Sequence, residues 1–529
     1  MRKVLVFMLC ALILLSAVSC GNKTSDDTEK TEVVFVTDKN GETKAVTKKV
    51  KKSKNISLYF CYSDSLDPYQ AKSSGNRSVC GLLFDSLIKL DNDLNPHKVL
   101  ANDVTVSGKT VTITLNSYRF SDGDVVTTDD VIYSIEKCKK AKEGAYVNQL
   151  SNVKSYSASG GKVVLTLNNY DKNAICLLDF PIVKRGSVNK TNSDGKSVPP
   201  IGSGRYVLVD NFGEYSLKGN EYYYGGKPKN TIKLSNVPDY DALEYSIRSN
   251  SIDAYYSGFD AKEMPELKGK TGSVTLTNLV YLGINQSRSV LSDNNIRKAL
   301  SASCDRTNIS DKCYYSLSTP ATSLFNNSNK VIENQKAVFE LEDNAPNAAQ
   351  FLSKSGYSSL NSEGYYQNSD KNHVSIGLLY NKDNSMQSMA AQNLVKQFKA
   401  GGIDVKEDPA DKNSYKSRIK NKDYDIYLAE IRLTKSFNYF DLLNSKIVGK
   451  KTGKGKKATK STDTFLKAYE SYMKGDKSVS DMLASFSEEL PFIPLVFRLG
   501  TVSYSKDFSV DLISSISDPY YNIEKISKK

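Results

Sequence analysis

The stretch GLLFDSLIKLDNDLNPHKVLANDVTVSGKTVTITLNSYRFSDGDVVTTDDVIYSIE, residues 81–136, decides the fold, and its first half predicts a helix followed by a β-hairpin. Its opening apolar pattern is typical of one face of a helix and consists of Leu82, Leu83, Leu87 and Ile88. Apolar and polar residues then alternate, as on a half-buried strand, at Val111, Ile113 and Leu115. The glycine at 108 suits the tight turn that such a hairpin needs.

The second half of this stretch predicts a sharp turn and then the start of a second helix. The turn is Phe120-Ser121-Asp122-Gly123, and Thr128 is expected to be the N-cap of the helix because two carboxylates follow it. In this order, the elements and the run from Phe120 to Val131 resemble the signature region of the extracellular solute-binding proteins of peptide and nickel ABC importers.

Motifs along the rest of the chain resemble the same family over about residues 56 to 510. A predicted strand from Ile56 to Tyr62 leads into a Leu-Asp-Pro turn at 66–68, as in the family's opening strand. The family's glycine loop is matched by PPIGSGRY at 199–206, and its tyrosine-glycine loop by NEYYYGGKP at 220–228. A further match is YLGIN at 281–285, followed by a helical segment from residue 296.

The C-terminal half predicts a strand–helix–strand unit on physical grounds alone. Val374–Tyr380 is a buried-strand run, and a strand is also expected from Asp423 to Leu428. The helix between the unit's strands carries one apolar stripe, formed by Met386, Met389, Ala390, Leu394 and Phe398, which is interpreted as core. Two glycines at 401–402 end it before the next strand begins at 403. This unit predicts a parallel or mixed sheet that is covered by helices.

The resemblance implies an α/β fold of the periplasmic-binding-protein-like type II class, in which two lobes enclose a ligand and close about a hinge. A smaller subdomain is inserted in the first lobe. By the position of the motifs, the first lobe is predicted at 55–80, 198–275 and 488–529, the inserted subdomain at 81–197, and the second lobe at 276–487.

The N-terminus predicts export and a lipid anchor. Arg2 and Lys3 precede a twelve-residue apolar run that is too short to span a bilayer, and small residues then lead to Cys20. This pattern is similar to a bacterial lipobox with Cys20 as the lipidated residue, on the extracytoplasmic face of the membrane. An ordinary secretory signal at 1–19 remains the alternative. Residues 20–54 are rich in charge and are expected to form a mostly flexible tether.

Composition excludes several function classes. The formal charge is +13, but the lysines are scattered and no nucleic-acid-reading motif is present, so no nucleic-acid partner is expected. The chain has two histidines, and its paired carboxylates at 129–130 and 488–489 are explained as helix ends, so the prediction is no enzyme, no metal and no cofactor. Six cysteines follow the tether and allow fifteen full pairings, among which Cys304–Cys313 is the first choice.

The resemblance implies a peptide ligand delivered to the permease and ATPase subunits of an ABC importer by a monomeric binding protein. A sensor or scaffold of the same fold, or a nickel chelate or sugar as the ligand, stays open. The chain has no Trp to match the family's usual amine clamp. Glu430 and Arg432 share a strand face and are expected to bind the two ends of a zwitterion, with an exposed ion pair at the strand end as the alternative. The complete predicted ligand set is Tyr62, Tyr281, Asn285, Glu430, Arg432 and Thr434.

Overall fold

A mixed β-sheet of eleven strands runs through the body of the protein, residues 55–529. Ten strands follow one another from edge to edge, in the order Tyr206–Asn211, Glu214–Gly219, Ile232–Asn236, Ile56–Phe60, Ala254–Ser257, Phe492–Ser505, Gly269–Ile284, Ile426–Arg432, Ser375–Asn381 and Asp404–Ala410. The eleventh, Ser318–Pro320, pairs with Phe492–Ser505. Helices pack against this sheet, which is the α/β architecture that the sequence predicts.

This computed structural model describes residues 30–37, 43–50, 55–142, 144–193, 198–258, 267, 269–326, 328, 345–443 and 460–529. The signal segment and Cys20 lie outside the described residues. We keep the predicted boundaries as names for the first lobe, the inserted subdomain and the second lobe, and the boundaries themselves stay a prediction. Two long antiparallel strands, Gly269–Ile284 and Phe492–Ser505, join the sheet of the first lobe to that of the second lobe.

The signature stretch forms the elements that the sequence predicts, with two differences at helix ends. The first helix spans Ser74–Leu83 and begins at the N-cap Ser73, so Leu87 lies between the helix and the next strand, Ile88–Leu90, which Ile88 begins. Apolar residues spaced at the helical period of 3.6 do not show where a helix ends. Here the backbone becomes extended at Phe84. The hairpin Ala101–Ser107/Thr110–Leu115 is confirmed.

The second helix of the stretch spans Thr128–Lys140, but its N-cap is Thr127 rather than the predicted Thr128. The Thr127 side chain accepts a hydrogen bond from the backbone of Asp130, and the Asp130 carboxylate accepts one from the backbone of Thr127. This is a capping box, which requires the acidic residue three positions after the cap. Thr127 fits that spacing and Thr128 does not.

Two glycines of the loop 199–206 are required by close packing. A Cβ at Gly202 would lie 1.9 Å from the carbonyl oxygen of Leu83, and one at Gly204 would lie 2.4 Å from that of Leu82. The loop therefore packs directly on the backbone at the end of helix Ser74–Leu83, and a side chain at either position would collide with it. Close approach of the two backbones is therefore the reason for glycine at both positions.

The strand–helix–strand unit of the second lobe is confirmed. Strands Ser375–Asn381 and Asp404–Ala410 pair in parallel, and helix Ser385–Ala400 connects them. Its apolar stripe is core, with the residues at 390, 394 and 398 fully buried and the two methionines packed against the same cluster. The helix ends at Gly401, and Gly402 adopts a positive φ of 77°.

The remaining elements complete both lobes and the inserted subdomain. A four-stranded sheet in the subdomain contains the hairpin above and the strands Val153–Ser159 and Lys162–Leu167. The other helices are Tyr240–Arg248, Asn294–Ala302, Arg306–Cys313, Ala345–Lys354, Lys412–Asn421, Phe440–Leu443, Lys460–Lys474 and Val479–Glu489, with 3-10 turns at Ala174–Leu178, Val290–Ser292 and Ile523–Lys525. The short strands Pro96–Lys98, Ser359–Leu360 and Tyr366–Gln367 complete the described elements.

Among the described residues, no helix has the length and hydropathy to cross a membrane.

The N-terminal unit, residues 1–54, contains an antiparallel hairpin of strands Lys30–Thr37 and Thr43–Val50. The sequence predicts a mostly flexible tether at 20–54, which stays a prediction, and the structure forms paired strands in these two segments of it. The run of valine and phenylalanine at 33–36 has a high β-propensity, which accounts for the strand.

The six cysteines of the body are all buried, and all are thiols rather than members of a disulfide. The predicted Cys304–Cys313 pairing is therefore wrong, since the Cys304 thiol instead donates to the carbonyl of Leu300, 3.2 Å away. Burial raises the pKa of the Cys138 and Cys176 thiols to about 12. These thiols stay protonated at neutral pH and behave as small apolar side chains.

Candidate functional site

A cavity of about 110 Å³ lies where the first lobe, the inserted subdomain and the second lobe meet. The first lobe contributes one face of helix Ser74–Leu83 and the turn at 516–519. The inserted subdomain contributes residues 145–149, and the second lobe contributes the loop at 432–435. The crossing strand Gly269–Ile284 lines it with residues 276–278. Because three separate parts of the chain form its walls, the cavity changes shape whenever the lobes move.

A bulge in the crossing strand brings those three residues to the cavity. Thr275 pairs with Leu499 and Leu279 with Phe497, so three residues on one strand face a single residue on the other. Such a bulge bends the strand and redirects its side chains. Within it, the Thr277 carbonyl accepts a hydrogen bond from the backbone N–H of Leu433 at 3.1 Å, and the Thr277 hydroxyl donates to the carbonyl of Leu433 at 2.9 Å. The bulge thus holds the loop of the second lobe against the crossing strand.

Of the predicted ligand residues, Arg432 and Thr434 line the cavity, and their contact with a ligand stays a prediction. Arg432 is the last residue of strand Ile426–Arg432, and its Nη1 donates to the carbonyl oxygens of Gly144 at 3.0 Å and Ala145 at 3.3 Å. The guanidinium therefore connects the second lobe to the inserted subdomain. The Thr434 hydroxyl lies 3.0 Å from that of Ser436.

Glu430 is not a wall residue of the cavity, but it contacts one through a hydrogen bond. Its carboxylate accepts from the Asn278 amide at 2.7 Å and from Arg498 at 3.3 Å. The predicted arrangement, in which Glu430 and Arg432 bind opposite ends of one zwitterion, is not the one observed, because Arg498 on the second crossing strand pairs with Glu430. Asn278 does line the cavity, so Glu430 orients a wall residue.

The structure does not bring the other three predicted ligand residues to this cavity, because each has internal partners. The Tyr62 ring packs edge-on against Tyr215, with centroids 4.7 Å apart, and its hydroxyl donates to the carbonyl of Leu234. Tyr281 is buried beside Tyr427, and burial raises its pKa to about 12. The Asn285 amide donates to the carbonyls of Tyr424 and Lys422 and so fixes a turn.

A set of polar contacts, which we call the interlobe clasp, joins residues 435–438 of the second lobe to Asp171 and Asp179 of the inserted subdomain. Lys435 forms a buried ion pair with Asp179 at 2.6 Å. The Asp171 carboxylate accepts from the Ser436 hydroxyl at 2.9 Å and from the Asn438 amide at 3.1 Å. Burial raises the pKa of Asp171 to about 6, although these hydrogen bonds oppose the rise. The clasp holds the two parts together at the edge of the cavity.

Sequence reasoning missed the clasp because its partners lie far apart in the chain. Lys435 and Asp179 are 256 positions apart, and Ser436 and Asp171 are 265 apart. No local spacing signals such a pair. Of the clasp residues, only Lys435 could have been suspected from the sequence, because it directly follows the predicted ligand residue Thr434. Arg77, another cavity residue, lies on helix Ser74–Leu83 and carries no motif of its own.

The acidic residues and histidines that could serve in catalysis or metal binding lie away from the cavity and form contacts within the protein. Asp130 caps a helix, and Glu489 accepts from the backbone of Phe465. The two histidines lie apart, His97 beside Asp91 and His373 beside Asp404. Within the described part of the chain, no three His, Cys, Asp or Glu side chains come together as metal ligands would.

Comparison with known proteins matches residues 95–445, more than half of the chain, to the family model described as bacterial extracellular solute-binding proteins, family 5 middle. Among curated proteins, the oligopeptide-binding protein AppA of Bacillus subtilis is 24% identical over 395 residues, which are 70% of this chain and 72% of the relative. The oligopeptide-binding protein OppA of the same organism is 24% identical over 404 residues, covering 68% and 72%.

Solved structures give the same fold. The structure of AppA in complex with a nonapeptide has a TM-score of 0.55 at 19% identity, and it covers 90% of this chain and 98% of that one. A nickel ABC transporter protein from Bacillus halodurans has a TM-score of 0.68 at 18% identity, covering 90% and 100%. The predicted periplasmic-binding-protein-like fold is thereby confirmed. The chain belongs to family 5 of the bacterial extracellular solute-binding proteins, a family of transport proteins rather than of enzymes.

Proposed function

We propose that this protein captures peptides in the cavity between its lobes and delivers them to the permease of an ABC importer. The observation that carries the proposal is the cavity itself, whose walls come from the first lobe, the inserted subdomain and the second lobe. A ligand that contacts all three favours the closed arrangement and so shifts the population toward it. The two oligopeptide-binding relatives from Bacillus subtilis support peptides as the ligand class.

The interlobe clasp supports closure as the mechanism. Contacts such as Lys435–Asp179 form only when the second lobe meets the inserted subdomain, so they stabilise the same arrangement that encloses the cavity. Binding and release then require no covalent step, and we infer that the protein acts by binding alone. Mass spectrometry of peptides after incubation with the protein should show them intact.

Peptide capture is tested by native mass spectrometry of the purified protein and by thermal unfolding with added solutes. A ligand that binds only the folded protein stabilises it by about 2.7 kcal/mol at a hundredfold excess over Kd. We expect short peptides to give this stabilisation. If a nickel chelate or a sugar stabilises the protein and peptides do not, the peptide assignment is wrong, and the alternative ligand class takes its place.

We also propose that the mature protein is tethered outside the cytoplasm through a lipid on Cys20. The apolar run at 4–15, followed by small residues before Cys20, supports this proposal. In the native host, the protein should fractionate with membranes and carry the mass of a lipid at its N-terminus. Cys20→Ala should move it to the soluble fraction. A wild-type protein without lipid mass would contradict the tether.

A further inference from the structure

Asp171 of the interlobe clasp is a carboxylate that is enclosed from both sides of the cleft, and it is 1% exposed. Within the inserted subdomain, the backbone N–H of Asn173 donates to it at 3.1 Å, and the Asn152 side chain also hydrogen-bonds to it. From the second lobe, the Ser436 hydroxyl donates to it at 2.9 Å and the Asn438 amide at 3.1 Å. Half of these contacts therefore exist only while the lobes meet.

Helix Lys460–Lys474 of the second lobe also lies close to Asp171. Burial, and then the negative charge of Asp171, raise the pKa of Tyr472 to about 12, and both also raise the pKa of Tyr469. The two phenols therefore stay protonated at neutral pH. This helix and the clasp segment 435–438 belong to the same lobe, so separation of the lobes removes both and admits water to Asp171.

The hydrogen-bonding groups that hold the Asp171 carboxylate are neutral amides and a hydroxyl. A buried carboxylate loses the hydration of its charge, and neutral donors restore only part of it, so burial favours the protonated form. In the closed arrangement, burial raises the pKa of Asp171 to about 6, although the hydrogen bonds oppose the rise. A carboxyl that water reaches has an ordinary pKa of about 4. The closed form therefore binds a proton at Asp171 more tightly than the open form does.

The charged and titratable neighbours of Asp171 have other surroundings. Lys435 forms an ion pair with Asp179 at 2.6 Å, so each charge of this pair has its own counter-charge. Lys172, the next residue in the chain, is exposed to solvent. The Cys176 thiol stays neutral, because burial and the charge of Asp171 raise its pKa to about 12. Among the described residues, neutral donors thus hold the Asp171 carboxylate.

We propose that closure of the lobes takes up a proton at Asp171, so that the protein binds its ligand more tightly in mild acid than at neutral pH. This inference rests on the proposed function and adds a regulation to it. The proton comes from solvent and returns to it when the lobes open. In the closed form, one carboxyl oxygen accepts from the Asn438 amide, and the new O–H donates to the Ser436 hydroxyl, which can accept as well as donate.

Closure should become more favourable as the pH falls from 7 to 5. At pH 7, Asp171 is ionised in both forms, and the closed form carries the cost of burying that charge. As the pH falls through 6, the closed form binds a proton and the cost disappears, whereas the open form stays ionised down to about pH 4. A carboxyl whose pKa moves from about 4 to about 6 changes the closing equilibrium about tenfold between pH 7 and pH 5.

Isothermal titration of the full-length protein with trialanine tests the inference, since the side chains of this peptide do not titrate. We expect trialanine to bind about tenfold more tightly at pH 5 than at pH 7. At pH 6, titrations in two buffers with different heats of ionisation should show the uptake of about half a proton for each peptide bound. A merely structural role of Asp171 would not produce this uptake.

Variants assign the proton to Asp171. Asp171→Asn cannot ionise, so its affinity for trialanine should agree within about twofold at the two pH values, without the proton uptake. Asn438→Ala removes a donor that lowers the pKa of Asp171, so the tightening should begin at a higher pH. The control Asp103→Asn removes an exposed carboxylate of the same subdomain and should keep the wild-type pH effect and proton uptake. Circular dichroism verifies that each variant is folded.

Three results separate failure of this inference from failure of the proposed function. If wild type binds trialanine equally at pH 5 and pH 7 without proton uptake, proton-linked closure is wrong and peptide capture stands. A pH effect that Asp171→Asn retains in full would also overturn it, because another group would then bind the proton. If no peptide binds, the proposed function fails, and X-ray scattering of the ligand-free protein decides the inference. Contraction at pH 5 in wild type but not in Asp171→Asn would support it, and an unchanged radius would overturn it.

Discussion

The signature stretch at 81–136 and the clasp segment at 435–438 differ in how far away their partners lie. In the signature stretch, a hairpin closes over two residues, and the cap of helix Thr128–Lys140 bonds to a residue three positions away. In the clasp, every contact with Asp171 or Asp179 spans more than 250 positions. The first region is therefore determined by local sequence, and the second exists only once the lobes meet.

Contacts within local motifs position the walls of the cavity, whereas contacts between the lobes depend on closure. Local motifs build rigid walls, such as helix Ser74–Leu83 with its N-cap Ser73. The contacts of Arg432 and Lys435 with the inserted subdomain cross between the lobes, so they are lost when the lobes separate. Substitutions in the two regions should accordingly change different quantities, and four experiments test this separation.

The largest effect is expected where the glycine loop packs on the signature helix. Gly202→Ala places a Cβ about 1.9 Å from the backbone oxygen of Leu83, and the backbone has to move. We expect a loss of about 3 kcal/mol or more in the free energy of unfolding, measured by urea titration. The control is Gly81→Ala in the same helix, where a Cβ meets nothing within 4 Å. It should stabilise by about 0.5–1 kcal/mol. Equal losses in both variants would contradict the packing argument.

The second experiment breaks the clasp. Asp179→Asn leaves Lys435 buried without its counter-charge, and removing one partner of such a pair costs about 3–5 kcal/mol. A double-mutant cycle with Lys435→Met should give a coupling of at least 1 kcal/mol in the free energy of unfolding. The same cycle on the exposed pair Lys227–Glu221 should give less than about 0.5 kcal/mol. Similar couplings for both pairs would mean that the clasp contributes no more than a surface pair.

The third experiment titrates Asp171, whose pKa is raised to about 6 by burial. A carboxyl with a raised pKa in the folded protein destabilises it above pH 6, and this cost disappears as pH falls toward the ordinary value near 4. The difference in unfolding free energy between wild type and Asp171→Asn should therefore change by about 2–3 kcal/mol between pH 7 and pH 4. Asp129→Asn, at an exposed helix start, is the control for removing a carboxylate outside the clasp. A flat difference for Asp171→Asn would show that burial does not raise this pKa.

The smallest effect is expected in the signature stretch, at the N-cap of its second helix. Thr127→Ala removes the side chain that caps helix Thr128–Lys140, and loss of an N-cap costs about 1 kcal/mol. Thr128→Ala, one residue later, should change the free energy of unfolding by only a few tenths of a kcal/mol. Chemical unfolding of both variants distinguishes them. If Thr128→Ala were the more harmful change, the cap would lie where the sequence alone suggests.

Sequence reasoning recovered the fold more completely than the site. The hairpin, the strand–helix–strand unit and its glycine end follow from periodicity and turn chemistry, which act over a few residues. Of the predicted ligand residues, Arg432 and Thr434 line the cavity. Tyr62 is predicted as a ligand residue at the end of the opening strand, but its ring packs on Tyr215 of another strand. Such a contact depends on strand order, which no local pattern encodes.

The sequence by itself determined the family, the α/β class and the main helices and strands, because these depend on local propensity and on motif order. Only the tertiary structure decided that Glu430 pairs with Arg498, that Asp171 and Asp179 hold residues 435–438, and that Arg77 shares a cavity with Arg432. The physical reason is distance along the chain. Burial and charge pairing are properties of neighbours in space, and here those neighbours come from three separate parts of the sequence.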